Sequence, residues 1–214
     1  MTEDTNIGYW ERVLKAPTPA YQELFDAEHE YLVKEIPKDS KVLDIGCGEG
    51  RNMRSIFEVT SHVFGVDNDI NAVNDARKNF KELSIDNIVQ GEARSLPFSN
   101  KTFDVVTFLM ILPNLDADKE MAIKEVARVL KDNGFAILST FSETASEERM
   151  KIYKMVQIPI EKSENGRLIF TNGVVSEQFS LEDIEKLSEL AGLKVVKSER
   201  VNSLAYICRL EKVR

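Results

Sequence analysis

The stretch Val42-Leu43-Asp44-Ile45-Gly46-Cys47-Gly48-Glu49-Gly50 decides the fold of this 214-residue chain. Its first residues are mostly apolar, as in a buried strand, and they run directly into three glycines spaced GxGxG. Glycine tolerates unusual backbone dihedral angles and carries no side chain, so a turn of this kind brings backbone close to a bound molecule. The stretch therefore predicts a strand, a sharp turn and the edge of a ligand site.

Short apolar runs alternate with helical stretches along the chain. The runs that predict parallel strands are 42–45, 62–66, 87–89, 103–108 and 135–139. Strands that alternate with helices form a parallel sheet covered on both faces. The last two runs, 193–201 and 204–210, are separated by only two residues and therefore predict an antiparallel hairpin. We expect an α/β fold with a Rossmann-like, doubly wound sheet that is mostly parallel and carries a C-terminal antiparallel hairpin strand.

Two helices are predicted with defined ends. Apolar residues at helical spacing predict a helix from Lys119 to Lys131, which Asn133-Gly134 would end with a left-handed turn. Ser180 and Asp183 resemble a capping box, which predicts a second helix from Leu181 to Ala191.

The length suits a single domain over residues 1–214, with two additions to the sheet. Residues 1–38 predict a helical lid that is split near Pro17 and Pro19. Residues 142–179 predict an insertion with two Asn-Gly turns and a charged stretch, residues 143–154, which is expected to be a solvated helix face. The sequence shows no internal repeat.

Composition excludes several classes of partner. A formal net charge of −8 disfavours nucleic acid, because Lys and Arg supply the contacts to phosphates. No apolar run approaches the roughly 18 residues of a membrane helix, and residues 1–6 lack a signal-peptide pattern, so no membrane partner and a cytoplasmic location are expected. Cys47 and Cys208 are the only cysteines and form neither a disulfide framework nor a CxxC pair. We therefore expect a reducing compartment and no metal site.

The glycine spacing and two acids favour a nucleoside without a pyrophosphate. A dinucleotide fingerprint would be GxGxxG, whereas this turn is GxGxG and contains Glu49, which would repel a pyrophosphate. Asp44, at the end of the first strand, can accept a hydrogen bond from an ammonium group. Asp67 ends the second strand, where an acid in this architecture accepts both ribose hydroxyls. A neutral or cationic nucleoside ligand suits these residues.

The glycine-rich stretch and Gly65-Val66-Asp67 are followed by a third segment, Gly91-Glu92-Ala93-Arg94-Ser95-Leu96-Pro97-Phe98. Together they resemble motif I, the second motif and the GDAxxLPF segment of class I S-adenosylmethionine-dependent methyltransferases, in the ubiquinone-biosynthesis-like small-molecule branch. Residues 103–106 and 129–134 are similar to the fourth strand and the LKPGG turn of that family. The resemblance covers Lys41 to about Phe141. It implies the seven-stranded class I methyltransferase fold and S-adenosylmethionine as cofactor, with S-adenosylhomocysteine as product.

The resemblance also implies which residues bind the cofactor. In the family, the acid of GDAxxLPF contacts the adenine amino group and the next backbone amide faces the ring, roles that fall to Glu92 and Ala93. Tyr21, with Tyr9 and Trp10, either closes over the cofactor and acceptor or simply packs on the sheet. The complete predicted set is Asp44, Gly46, Cys47, Gly48, Gly50, Asp67, Asn68, Glu92, Ala93, Leu109 and Tyr21.

The chain departs from the family on the acceptor side. Relatives often carry histidines in an LHH stretch after the fourth strand, where this chain has Leu112-Pro113-Asn114-Leu115. Methyltransferases that act on amides and bases carry NPPY, where this chain has Thr107-Phe108-Leu109-Met110. Cys47, His29 and His62 lie in no recognisable catalytic pattern, so no catalytic residue is predicted. The apolar wall predicts a small-molecule acceptor that is apolar or aromatic.

Three functions therefore remain open. The first is an enzyme that transfers a methyl group from S-adenosylmethionine to a small-molecule acceptor by in-line displacement. The second is a catalytically silent S-adenosylmethionine-binding subunit that regulates a partner, which the missing histidine motivates. A nicotinamide-dependent oxidoreductase is the third. The insertion after the fifth strand lies where similar enzymes cover their substrate, and the sequence leaves a homodimer open.

Overall fold

The computed structural model describes residues 12–81, 84 and 87–213. Within these residues, the strands are β1 (Val42–Ile45), β2 (Val63–Asp67), β3 (Ile88–Gln90), β4 (Phe103–Leu109), β5 (Leu130–Phe141), β6 (Ile160–Glu164), β7 (Arg167–Phe170), β8 (Val175–Ser176), β9 (Leu193–Val201) and β10 (Ala205–Lys212). The helices are α1 (Pro19–Glu35), α2 (Arg51–Phe57), α3 (Ile70–Asn79), α4 (Lys119–Val129), α5 (Ser146–Met155) and α6 (Leu181–Leu190).

Side chains alternate along the strands between two hydrophobic clusters. Val42 belongs to one cluster and Leu43 to the other, and Val105 and Val106 divide in the same way. Successive strand residues point to opposite faces, so the two clusters lie on opposite sides of one sheet. The first cluster takes in α1, α2 and α3, and the second takes in α4 and α6. The sheet is therefore covered on both faces, as predicted.

The main sheet has the strand order β3-β2-β1-β4-β5-β10-β9. β1 pairs in parallel with both β2 and β4, so that Asp44 lies between Gly65 and Thr107. The chain runs from β1 towards β3 on one side and from β4 towards β5 on the other, which makes the junction of β1 and β4 a topological switch point. Ligands of doubly wound sheets bind outside the carboxyl ends of the strands at such a point.

The C-terminal hairpin is confirmed. β10 pairs antiparallel with both β5 and β9 and lies between them in the sheet. The predicted helix after Ser180 is confirmed as α6, and Ser180 and Asp183 form the expected capping box. Gly192 follows this helix with φ 71°, a conformation that glycine adopts without strain.

The N-terminal part of the chain is helical and interrupted, as its prolines predict. Residues 12–15 are helical, residues 16–18 interrupt the helix, and α1 begins at Pro19, where its lack of an N–H removes no intrahelical hydrogen bond. Tyr21, Leu24 and Leu32 of α1 are buried against the sheet. Within the part of the chain that the structure describes, no helix is both long and apolar enough to cross a membrane.

The predicted end of the fourth helix is wrong. α4 ends at Val129, and Leu130 is already extended and pairs with Phe103 of β4. Neither Asn133 nor Gly134 has a positive φ. Gly134 is required for a different reason: a Cβ there would lie 2.7 Å from the backbone oxygen of Asp104 on the neighbouring strand. Close approach of two strands, and not a left-handed turn, explains this glycine.

The insertion folds as a small sheet of its own, which the sequence did not predict. β6, β7 and β8 pair antiparallel, and the β6–β7 turn is made by Asn165 and Gly166 at φ 49° and 77°. The charged helix expected to be solvated is α5, and this interpretation is wrong for one face, because Arg149 is completely buried. Its guanidinium donates hydrogen bonds to the Gly166 backbone oxygen at 2.8 Å and to Ser176 Oγ at 2.9 Å.

Candidate functional site

A cavity of about 360 Å³ opens at the carboxyl ends of β1, β2 and β4, where the topology predicts a ligand site. This volume lies within the range of roughly 300–1,000 Å³ found for small-molecule sites. The glycine turn forms its floor, and the ends of β2, β3 and β4 and two N-terminal residues form its walls. Lining residues include Leu14, Phe25, Gly46, Cys47, Gly48, Arg51, Asp67, Asn68, Glu92, Ala93, Leu109, Met110, Ile111, Asn114 and Leu115.

The three glycines of the turn share one reason to lack a side chain, and Gly48 and Gly50 differ in their surroundings. Gly46, Gly48 and Gly50 have φ of 70°, 55° and 97°, so all three adopt the left-handed region that glycine favours. A Cβ on Gly50 would lie 2.3 Å from the Phe80 ring, whereas a Cβ on Gly48 would have no protein atom within 4 Å. Gly50 therefore permits packing of the turn, and Gly48 exposes backbone to the cavity.

Asp67 holds the turn in place from the end of β2. Its Oδ2 accepts a hydrogen bond from the Gly48 backbone N–H at 2.8 Å, and its Oδ1 accepts one from the Asp69 N–H at 3.0 Å. Burial raises the pKa of this carboxyl, while the backbone hydrogen bonds oppose the rise. Each carboxylate oxygen keeps a second lone pair, so Asp67 can still accept a pair of hydroxyl groups from the cavity.

Asp44 lies behind the turn, and it is not among the residues of the cavity wall. It is 1% exposed, and its Oδ1 accepts a hydrogen bond from Thr107 Oγ1 at 2.6 Å. Its Oδ2 is buried and has no hydrogen-bond partner among the described residues. Burial raises the pKa of this carboxyl to about 7. The sequence suggested that Asp44 contacts a ligand ammonium directly. The structure does not support this contact, because the carboxyl is buried behind the turn.

Arg51 and Glu28 form an ion pair at the other side of the turn, which the sequence did not predict. Arg51 is the first residue of α2 and donates from Nη2 to Glu28 Oε2 at 2.6 Å. The Glu28 carboxylate, from α1, is completely buried and also accepts a hydrogen bond from Ser139 Oγ of β5 at 2.5 Å. The sequence signal that could have indicated a role for Arg51 in the site is its position directly after the last glycine.

The structure brings together eight of the eleven residues predicted for the cofactor: Gly46, Cys47, Gly48, Asp67, Asn68, Glu92, Ala93 and Leu109 all line the cavity. Asp44, Gly50 and Tyr21 do not line it. The Tyr21 ring is completely buried and meets the Phe25 and Phe141 rings edge-on, at centroid distances of 6.2 and 6.1 Å. Packing, the alternative considered for Tyr21, is therefore what the structure shows, and Tyr9 and Trp10 lie outside the described residues.

Cys47 lines the cavity without the character of a nucleophile. Its side chain is 5% exposed, and burial raises the pKa of the thiol far above its ordinary value. A thiol with a raised pKa is protonated at neutral pH and reacts poorly. Among the described residues, no three His, Cys, Asp or Glu side chains are arranged to hold a metal ion.

Asn114 lies in the stretch after β4 where the resemblance led us to expect histidines, and where this chain has none. Its Nδ2 donates to the Val175 backbone oxygen of β8 at 2.8 Å, and the Glu177 N–H donates to the Pro113 oxygen at 2.9 Å. These two hydrogen bonds tie the insertion to the segment that follows β4. The cavity that Asn114 lines also has apolar wall residues, namely Leu14, Phe25, Met110, Ile111 and Leu115.

Part of the chain, including the glycine turn, is similar to known proteins. Residues 43–138 match the family model described as "Methyltransferase domain". A demethylmenaquinone methyltransferase of Staphylococcus carnosus is 34% identical over 106 residues, which cover 48% of this chain and 44% of that protein. The chain spans about half the length of the curated relatives it matches.

Solved structures share the fold over nearly the whole chain. A protein of Pyrococcus horikoshii superposes with a TM-score of 0.71 at 24% identity and covers 92% of this chain and 93% of its own. The 1,6-didemethyltoxoflavin-N1-methyltransferase of Burkholderia thailandensis, with bound 1,6-didemethyltoxoflavin and S-adenosylhomocysteine, has a TM-score of 0.71 at 16% identity. Its alignment covers 99% of this chain and 86% of that enzyme. The predicted seven-stranded class I methyltransferase fold is confirmed.

Proposed function

We propose that this chain, whose residues 43–138 match the family model described as "Methyltransferase domain", transfers a methyl group from S-adenosylmethionine to a small-molecule acceptor. One observation carries the proposal: the Gly48 backbone faces open space in a cavity whose turn is held by Asp67. That arrangement suits a nucleoside whose ribose hydroxyls meet Asp67. Glu92 and Ala93, also in the wall, suit the adenine end.

In the proposed reaction, the chain mainly positions the two reactants and excludes water. Bound S-adenosylmethionine supplies an electrophilic methyl group on a sulfonium centre. Methyl transfer is an in-line displacement, so the protein must align the acceptor with that methyl group and keep water away. The apolar wall of Phe25, Met110 and Ile111 would exclude water, and the acidic residues of the cavity would favour a cationic ligand over an anionic one.

Binding of the product tests the donor. We expect titration calorimetry to detect S-adenosylhomocysteine binding to the wild-type chain and no binding of NAD. Asp67→Ala should weaken the affinity by at least about 10-fold, because a carboxylate that accepts hydroxyl groups is lost. Asp132→Ala removes an exposed carboxylate, 67% accessible and outside the cavity wall, and is the charge-matched control. Equal affinity in wild type and Asp67→Ala would refute the ribose role of Asp67.

The acceptor is proposed to be an apolar or aromatic small molecule. The apolar wall next to Asn114 supports this class, and so does the quinone chemistry in the name of the staphylococcal relative. Asn114 is neutral, and the stretch that contains it lacks the histidines that could act as a base in similar enzymes. The acceptor would therefore bring a nucleophile that reacts without a strong base from this position.

Transfer of label tests the acceptor. The protein is incubated with S-adenosylmethionine labelled in its methyl group and a metabolite extract, and labelled small molecules are identified by mass spectrometry. We expect label in a compound that carries a ring or an extended apolar group. Cofactor binding without transfer to any compound would support a catalytically silent subunit instead, and label in nucleic acid or protein would contradict the small-molecule proposal.

The proposal includes a cytoplasmic location. Cys47 and Cys208 are both free and buried, which suits a reducing compartment. Cell fractionation with an antibody against the chain would test the location.

A further inference from the structure

Arg51 is the one cation among the described residues that line the cavity. The other charged residues in that wall are acids, namely Glu49, Asp67, Asp69, Asp75 and Glu92. A sulfonium nucleoside with an amino-acid tail carries two positive groups and one carboxylate. The acids suit the positive groups, and only Arg51 offers a charge opposite to that of the carboxylate.

Arg51 and Asp67 lie on opposite sides of the glycine turn. Asp67 ends β2, on the side of the sheet that continues to β3. Arg51 is tied through Glu28 to Ser139 of β5, on the side beyond β4. A ligand that lies across the turn with its ribose at Asp67 therefore has its amino-acid end directed towards Arg51.

The Arg51 guanidinium is fixed in that position and still has N–H donors available for a ligand. Nη2 is bonded to Glu28, the group lies over the Phe25 ring at 4.5 Å from its centroid, and Arg51 makes no other hydrogen bond to a described residue through Nε or Nη1. The Arg51 side chain remains 31% exposed while Glu28 is completely buried. A guanidinium has five N–H donors, so one ion pair leaves donors for a second carboxylate.

We propose that Arg51 binds the carboxylate of the methionine moiety of the cofactor and that Glu28 of α1 is the positioning residue that aims it. This inference rests on the proposed function and adds to it a specificity determinant for the amino-acid tail. It also assigns a role to α1: this helix supplies the buried Glu28 carboxylate, which fixes the position of the Arg51 guanidinium beside the cofactor.

The test compares two ligands that differ only in the carboxylate. These are S-adenosylhomocysteine and its decarboxylated analogue, S-adenosyl-3-thiopropylamine, each titrated into the protein by calorimetry. We expect the wild-type chain to prefer S-adenosylhomocysteine by about 10- to 100-fold, the range of a hydrogen-bonded charge contact. Arg51→Met should reduce this preference to within about 3-fold, and Arg51→Lys should leave an intermediate preference, because lysine lacks the planar fork.

The control is Arg54→Met, which makes the same charge change one turn further along α2. Arg54 is exposed and outside the cavity wall. It should leave the preference unchanged. If Arg51→Met fails to fold because Glu28 is left buried without its cation, the double variant Glu28→Gln and Arg51→Met removes that charge and tests the same preference.

The outcomes separate the two proposals. Binding of both ligands to wild type with equal affinity would overturn the role of Arg51 and leave the proposed function standing. Equal weakening of both ligands by Arg51→Met would show that Arg51 only shapes the turn, which also overturns the inference. If wild type binds neither ligand, the proposed function itself fails and the inference fails with it.

Discussion

Asp44 shows how one buried carboxyl couples folding to pH. Burial raises the pKa of this group to about 7 from an ordinary value of 3.8, and the hydrogen bond from Thr107 opposes the rise only in part. Between these two values the folded chain holds a proton that the unfolded chain releases. The free energy of unfolding therefore falls as pH rises through this window, and the fall ends above the folded pKa.

Replacement of Asp44 by Asn should remove this dependence. Because each pH unit inside the window costs at most about 1.4 kcal/mol, wild type should lose stability relative to Asp44→Asn between pH 4.5 and pH 7. Above about pH 7 the difference should become constant. Urea unfolding of both proteins across this pH range measures the difference in their free energies of unfolding. If the two free energies change in parallel with pH, Asp44 ionises normally in the folded state.

At the scale of single elements, substitutions in the glycine turn can distinguish an effect on folding from an effect on ligand binding. Gly48 in the turn and Gly173 in the insertion share two properties: both have a positive φ, 55° and 82°, and a Cβ on either would have no atom within 4 Å. The two positions differ in one respect, since Gly48 lines the cavity and Gly173 does not. They form a matched pair of sites for substitution.

Gly48→Ala and Gly173→Ala should each lower the free energy of unfolding by about 1–2 kcal/mol, the cost of a left-handed conformation for a residue with a Cβ. Only Gly48→Ala should also weaken S-adenosylhomocysteine binding, because its methyl group would occupy space where a ligand meets the backbone. Urea unfolding and calorimetry measure the two effects. Unchanged affinity in Gly48→Ala would place the ligand elsewhere in the cavity.

At the scale of the whole molecule, Arg149 of α5 connects its helix to the small sheet of the insertion and packs on the end of β5. Its guanidinium lies 4.9 Å from the centroid of the Phe141 ring, at the end of β5, and its donors reach Gly166 and Ser176 in the small sheet. Buried acceptors that lose their donor cost about 1–3 kcal/mol each. One side chain therefore supports several hydrogen bonds within the insertion.

Arg149→Met should destabilise the chain by about 1–3 kcal/mol for each acceptor left unpaired. The loss should be concentrated in residues 160–176, where amide hydrogen exchange should become faster, while β1 and β4 keep their protection. Arg149→Lys, which retains the charge and an N–H donor group but lacks the planar guanidinium, should show a smaller effect. Uniform loss of protection over the whole sheet would show that the insertion and the sheet unfold together.

The sequence determined the sheet and the glycine turn that lines the cavity, because the signals for both are local. A buried strand, three glycines and an acid at the end of the next strand are contiguous or fixed by topology, so Gly46, Gly48, Asp67 and the antiparallel hairpin could be predicted from residue types alone. The same holds for the capping box at Ser180, which depends on residues three apart.

The tertiary structure decided everything that depends on which side chains meet from distant parts of the chain. Glu28 meets Arg51 and Ser139 across 23 and 111 residues, and no periodicity in the sequence relates them. The tertiary structure likewise decided that Arg149 is buried and that Tyr21 and Asp44 do not line the cavity. Local pattern specifies backbone conformation and face, whereas burial and charge pairing are set by the packing of the whole molecule.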